Sequence, residues 1–457
     1  MSPEQIHEKQ KAFFETRATF NIDYRINALK KLQKTIKASE RDIFDALKKD
    51  LGKSNYESFL TEVYVILNEL DKYIKNTKSY AKPNRVRPSI LNFPSTAKIY
   101  KEPYGNTLVI APWNYPFQLA LGPVIGAIAA GNTVVLKPSE FVPATSKVLV
   151  EIVSESCEAD HVSVILGDAN VSQKLTALKW DYIFFTGSPK VGKIIYKAAA
   201  EHMTPVTLEL GGKNPCVIHE SANIPVAARR IAWGKFLNAG QTCIAPDYIL
   251  CHKSVKVEFT EALKKSIIEF YGENPQRSDD YPRIIREEHF ENLVGLLKDE
   301  TVIHGGNHDK DNLYLEPTLV DEPSLNSKVM ADEIFGPILP ILSYETTEDI
   351  SNIIKRYPKP LGGYCFTEDK SFASWFIDRF SYGGGVINDS IVQFINERLP
   401  FGGVGDGGIG AYHGKKSFET FSHHKSMVHR RTWLDIKIKY PPYNGKLSKI
   451  RKMLKWV

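Results

Sequence analysis

Residues 106–137 read NTLVIAPWNYPFQLALGPVIGAIAAGNTVVLK, a stretch without a charge until its last residue. Its length suggests a membrane span, but Pro112, Pro116, Pro123, Gly131 and Asn132 break it into short pieces, and a spanning helix needs about 20 consecutive apolar residues. The pieces read instead as two buried strands around a buried helix. Downstream the alternation continues with a helix from Ala144, then VSVIL, DYIFFTG, a helix from Pro189, and VTLELGG. Strands that are continuous Val/Ile/Leu runs between helices predict a parallel sheet covered on both faces, a doubly wound α/β domain. After Gly212 the runs PCVIH, DYILCH, PTLVD, PILPILSY, GGYCFT and GGVINDS, with helical segments among them, predict a second α/β domain. Upstream, residues 22–51 and 56–80 carry apolar positions at helical spacing, Gly52 stops the first segment, and Pro83, Pro88 and Pro94 mark a linker. From Lys425 the chain turns basic: WLDIKIKY alternates as a strand does, a Pro-Pro-Tyr-Asn-Gly turn follows, and the end is helical.

Composition fits this reading. The chain has 457 residues, 42% hydrophobic and 25% charged, which excludes collagen-like, disordered and disulfide-stapled classes and allows two or three domains. Five widely spaced cysteines without a C-x-x-C pair argue against a disulfide framework or a zinc site, and fit reduced thiols in a cytosol. The polar start MSPEQIHEKQK offers no signal peptide, so the protein is expected to stay where it is made. The formal net charge of +6 is local: residues 425–457 hold ten Lys/Arg and one Asp, a balance of +9, and leave the rest at −3. No aromatic-and-basic strand motif or helix-turn-helix signal supports a nucleic-acid partner.

Four places can carry chemistry, each with a plainer alternative. In FFTGSPKVGKII, Gly187 to Lys193 satisfies G-x-x-x-x-G-K, but Ile194 stands where a nucleotide triphosphatase needs Ser or Thr for magnesium. What remains is a strand, a glycine turn, Ser188 as N-cap and Pro189 at the first helical position. That arrangement either aims N–H groups at a cofactor pyrophosphate or is an ordinary strand-to-helix turn. Cys243 in NAGQTCIAPD lies among small and polar residues, unlike Cys216 and Cys251 in their apolar runs, so it is either a nucleophile or a packed loop thiol. Glu209 in VTLELGG is an acid in an apolar strand, where burial raises its pKa towards that of a general base; the alternative is a glutamate satisfied by a partner at a strand end. Asn114, bracketed by prolines at a strand end, has an amide that can donate to an oxyanion, or it is a structural turn residue.

Together these signals suit oxidation of an aldehyde through a thioester. In PWNYP, KPSE, FTGS, LELGGKNP, GQTCIAPDY, EIFGP, INDS and LPFGGVGDGGIG, in that order from about residue 100 to 410, the sequence resembles the aldehyde dehydrogenases. Its short length resembles their class 3 branch of fatty and aromatic aldehyde dehydrogenases. The resemblance implies two doubly wound, Rossmann-like α/β domains with a small β oligomerisation arm. The NAD(P)-binding domain would comprise residues 1–81 and 106–208, the catalytic domain 209–421, the arm 82–105 and 422–445, and a basic amphipathic helix 446–457. It further implies that Cys243 attacks the carbonyl, that the Asn114 amide and the Cys243 N–H hold the oxyanion, and that Glu209 activates the hydrolytic water. Glu333 and Phe335 would hold the nicotinamide ribose, Lys137 and Glu140 would face the adenosine ribose, and Gly187 and Ser188 would lie by the pyrophosphate. Read without the family, Glu140 is a helix opener and Glu333 a surface turn residue.

A carboxylate near the ribose 2′-hydroxyl repels a 2′-phosphate, which favours NAD, although the branch takes NADP as well. No metal is implied. Tyr115, Trp233 and Phe401 are candidates for a substrate tunnel or for plain core. The resemblance favours medium or long-chain aliphatic, aromatic, polyene or terpenoid aldehydes. It also implies a homodimer, paired through residues 433–440. The last helix, with Leu447, Ile450, Met453, Leu454 and Val457 at helical spacing among lysines, either lies on an anionic membrane as a peripheral contact or packs over a substrate entrance. The rivals are a cysteine-dependent esterase or acyltransferase on the same fold and an inactive structural relative.

Overall fold

The computed structural model describes residues 1–357 and 359–454. Residues 106–137 form the strand Asn106–Ile110, the helix Gln118–Ala130 and the strand Thr133–Lys137. All 13 residues of that helix are buried, and Gly131 ends it in the left-handed conformation that a side chain disfavours. Among the described residues no helix is long and apolar enough to cross a membrane.

The two strands sit inside a six-stranded sheet ordered Gly408–Ile409, Val206–Glu209, Tyr182–Thr186, Asn106–Ile110, Thr133–Lys137, Val162–Val164. Only the short outer strand Gly408–Ile409 is antiparallel. From Asn106–Ile110 the chain winds first to one side and then to the other, so the order reverses between that strand and Tyr182–Thr186. A crevice opens at such a reversal, beyond the carboxyl ends of the strands. The residues leaving those ends are Pro112, Trp113 and Asn114 on one strand, Gly187 and Ser188 on the other.

A second, seven-stranded sheet runs Val302–His304, Thr318–Asp321, Ile338–Tyr344, Tyr248–His252, Pro215–Ile218, Gly362–Phe366, Gly384–Ile387. It is parallel apart from its first strand. The N-terminal helices depart from the expected segments in two places. Residues 22–51 form two helices, Ile22–Ala38 and Glu40–Leu51, because Ser39 leaves helical geometry and turns its N–H back on Thr35 and Ile36. The second does end at left-handed Gly52. Within residues 56–80 a wide π turn, Phe59–Val63, precedes the helix Tyr64–Tyr80.

The arm also needs a correction. Residues 433–440 form no strand; they are irregular, with one tight turn at Lys437–Lys439. The strand is Ser422–Arg430, paired antiparallel over nine residues with Ser95–Pro103, which pairs in turn with Asn84–Val86. Alternation alone does not make a strand. Among the described residues of this chain no strand pairs with residues 433–440, whereas Ser422–Arg430 meets the edge of Ser95–Pro103. The terminal helix is Leu447–Leu454, and Val457 lies outside the described residues.

Candidate active site

Cys243 follows the helix Ile224–Phe236 on a loop that turns through three left-handed residues, Asn238, Ala239 and Gly240. A Cβ on Gly240 would collide with the Gly336 carbonyl, so glycine lets this loop close against the EIFGP turn. The same junction is pinned by a buried ion pair, Lys213 Nζ to Asp247 at 2.7 Å. Lys213 also donates to the carbonyls of Val329 and Asp332, both at 2.9 Å, and Asp247 accepts from the Ile334 N–H at 3.0 Å. Asn214 Nδ2 donates to the Cys243 carbonyl at 2.8 Å. The lysine and asparagine of GGKNP thus hold the loop that presents the thiol.

Glu209 ends the strand Val206–Glu209 and is 2% exposed, with both carboxyl oxygens buried and without a hydrogen-bond partner. Burial pushes its pKa well above the ordinary carboxylate value. Among the described residues no protein group satisfies this carboxyl. Glu333 is no surface turn residue either. Its Oε1 is sealed from water without a partner, and its pKa is pushed up to about 8, by burial first and then by Asp247. It lies against Gly211, where a Cβ would strike the carboxylate. The Cys243 thiol is held far above its usual pKa by burial, then by Glu333 and Glu209. It is neutral in this arrangement, and a positive charge nearby would lower its pKa.

Asn114 is 3% exposed and donates from Nδ2 to the Gln241 carbonyl at 3.0 Å. That bond uses one of two amide hydrogens and orients the other. Ser188 caps the helix Pro189–Ala200 as expected, its Oγ accepting from the Val191 N–H at 3.4 Å. Phe335 adopts a left-handed φ of 53° and packs edge-on to Trp113 at 5.3 Å. Lys137 is buried at the end of Thr133–Lys137 and donates to the exposed Glu140 at 2.9 Å. These two stand one strand further along the sheet and do not line the space around Cys243.

Two cavities meet at the thiol. One, of about 280 Å³, lies over the strand reversal between Pro112, Trp113, Asn114, Gly187, Ser188, Gly211, Glu333 and Phe335. The other, of about 190 Å³, is mainly apolar and includes Tyr115, Trp233 and Phe401 in its wall. They share Thr186, Glu209, Leu210 and Cys243. Sequence reasoning missed much of the apolar wall: Leu60, Tyr64, Leu119, Ile391, Phe394, Ile395 and Tyr412. Nothing local distinguishes them from core or surface residues.

The aldehyde dehydrogenase family model matches residues 3–427. The 4,4'-diaponeurosporen-aldehyde dehydrogenase of Staphylococcus aureus is 47% identical over 454 residues, 99% of each chain. The dimeric NADP-preferring aldehyde dehydrogenase of Canis lupus familiaris is 41% identical over 97% of this chain and 99% of its own. The solved substrate-bound state of Staphylococcus aureus AldH superposes with a TM-score of 0.97 at 47% identity, covering 99% of each chain. The chain belongs to the aldehyde dehydrogenase family.

Proposed function

We propose that this aldehyde dehydrogenase oxidises a lipophilic aldehyde to its carboxylic acid with NAD or NADP, through a thioester on Cys243. The observation that carries the reading is the meeting of a polar, glycine-lined cavity and an apolar one at Cys243 and Glu209. The first cavity suits the nicotinamide end of a dinucleotide: it lies at the strand reversal, Gly187 opens a capped helix, and Gly211 leaves room for the Glu333 carboxylate, whose Oε1 has no partner among the described residues and can bind a ribose hydroxyl. A nicotinamide cofactor bound there supplies the acceptor for the hydride of the substrate carbon. Lys137 and Glu140, further along the sheet, suit the adenosine ribose.

Cys243, its proton first released to solvent, adds to the carbonyl as thiolate, and the free N–H of the Asn114 amide with the Cys243 backbone N–H receives the oxyanion. Once the acyl group is a thioester, Glu209, ionised, draws a proton from water for its hydrolysis. A base placed for water argues against an acyltransferase that passes the acyl group to another thiol. The apolar cavity suits a hydrocarbon chain, and its wall reaches the surface at Leu60, Tyr64 and Ile395, which are 39%, 49% and 70% exposed. The diaponeurosporen-aldehyde and dimeric relatives fit the same picture of a lipophilic substrate and a homodimer. Exposed Met427 and Val428 on the outer strand Ser422–Arg430 suit a partner subunit. The basic helix Leu447–Leu454 suits peripheral contact with an anionic membrane on its cytoplasmic face.

The test is steady NADH or NADPH production from a chain-length series of aldehydes without added coenzyme A. Turnover that rises with chain length is expected. No turnover across the series overturns the reading. Light scattering tests the dimer, with a monomer at micromolar concentration as the contrary result. Co-sedimentation with phosphatidylglycerol vesicles that is unchanged by deletion of residues 446–457 overturns the membrane contact.

A further inference from the structure

Two fully buried charges from the N-terminal segment, Lys53 in a loop and Glu62 in the π turn, have no part in the chemistry above, yet both end on the turn that carries Asn114. Lys53 and Glu62 are each 0% exposed and form an ion pair at 2.7 Å. The Lys53 ammonium also donates to the Asn114 carbonyl at 3.1 Å and sits 4.1 Å from the centre of the Tyr115 ring. The other Glu62 oxygen accepts from the N–H groups of Phe117 at 3.0 Å and Gln118 at 2.9 Å. One ion pair thus holds residues 114–118 at both ends. Asn238 Nδ2 adds a second donor to the same Asn114 carbonyl at 2.8 Å, and the Asn238 N–H is itself held by Glu57 at 3.1 Å.

Isolated polar groups at these depths are unfavourable, and a buried ion pair adds little net stability over apolar packing. What it does well is fix a position: its hydrogen bonds are directional and cannot slide as apolar contacts can. The side-chain amide of Asn114 already has one hydrogen on the Gln241 carbonyl. With the backbone clamped behind it, the other hydrogen has one direction left, into the cavity it shares with Cys243.

We propose that Lys53 and Glu62 are positioning residues for the oxyanion site, acting through Asn114. The proposal rests on the reading of Asn114 as an oxyanion donor. A misplacement of about 1 Å in such a donor lowers the rate by up to ~10²-fold.

The experiment compares Asn114→Ala, Lys53→Met/Glu62→Gln and the triple combination in the full-length enzyme. The paired substitution leaves neither member of the pair as a lone buried charge. Four quantities are measured: kcat and KM for an aldehyde, cofactor-free hydrolysis of p-nitrophenyl acetate, the iodoacetamide alkylation rate of Cys243, and Tm. The paired variant is expected to lose roughly 10- to 100-fold in kcat with aldehyde KM nearly unchanged, and to lose ester hydrolysis by a similar factor. Alkylation of Cys243 stays close to wild type. In the Asn114→Ala background the paired substitution causes little further loss, because its effect runs through that amide. Losses that multiply in the triple variant, or a paired variant with wild-type kcat, overturn the proposal while leaving Asn114 as donor. An Asn114→Ala enzyme with wild-type rates overturns the oxyanion reading itself. Should the paired variant fail to fold, Lys53→Arg, which keeps the charge and the pair but displaces the donor to the Asn114 carbonyl, serves the same comparison.

Discussion

Glu209→Gln separates the two halves of the reaction more cleanly than any other change at this site. The carboxyl is 2% exposed and neither oxygen has a hydrogen-bond partner, so replacement by the isosteric amide breaks no contact. Burial already holds this acid well above its ordinary pKa. The amide therefore also removes a group whose ionisation opposes folding, and Tm is expected to be unchanged or higher. The chemistry loses its base. General-base catalysis contributes about 10²- to 10⁴-fold, or roughly 3–5 kcal/mol of barrier, and only the hydrolytic step uses it here. Addition of Cys243 and oxidation of the adduct proceed, so rapid mixing with aldehyde and cofactor should show one equivalent of reduced cofactor per site. The steady rate that follows falls by about 10²-fold or more. Mass spectrometry of the quenched enzyme should find the acyl group on Cys243. A steady rate within threefold of wild type refutes Glu209 as base. Loss of the burst, with Cys243 still alkylated by iodoacetamide, places Glu209 in the first half instead.

Gly211→Ala puts a Cβ into the Glu333 carboxylate; if Glu333 binds the cofactor ribose, displacing it should raise cofactor KM by about 10- to 100-fold, the loss of one or two hydrogen bonds. Unchanged cofactor KM in that variant counts against the ribose contact. If Glu209 acts ionised and Cys243 attacks as thiolate, turnover should climb from pH 7 to pH 9, because burial raises both pKa values; a flat kcat profile with chemistry rate-limiting contradicts it. Glu69, 7% exposed and pushed up to about 8 by burial, bears on stability. A folded-state pKa above the unfolded one stabilises at low pH and loses that contribution as pH rises through the folded value. Between pH 6.5 and 8.5 the wild type should therefore lose about 2 kcal/mol relative to Glu69→Gln, read by urea unfolding at both pH values. Parallel pH dependence of the two proteins shows that Glu69 stays ionised when folded.

The division between what the sequence discloses and what it hides follows from locality. The first sheet is legible because residues 106–137 contain both the apolar runs that need burial and the prolines and glycine that forbid one long helix. Cys243, Glu209 and Asn114 are legible because each is out of place where it stands: a thiol among polar residues, an acid in an apolar strand, an amide between prolines. Residues whose role lies in a distant contact carry no such mark. Ser422–Arg430 shows no alternation, and its partner lies more than 300 residues away, so the more regular 433–440 draws attention in its place. Lys53 stands in the loop after Gly52 and Glu62 in a helical segment, nothing local marks either charge as buried, and only the π turn at Phe59–Val63 and the fold around it bring them to Asn114. The raised pKa of Cys243 comes first from burial and then from Glu333, 90 positions onward, which a glycine gives room. The proposed reacting groups are exceptional locally because such chemistry requires an unusual residue in its place. Groups that aim them are ordinary residues in unusual company, and that company exists only once the chain has folded.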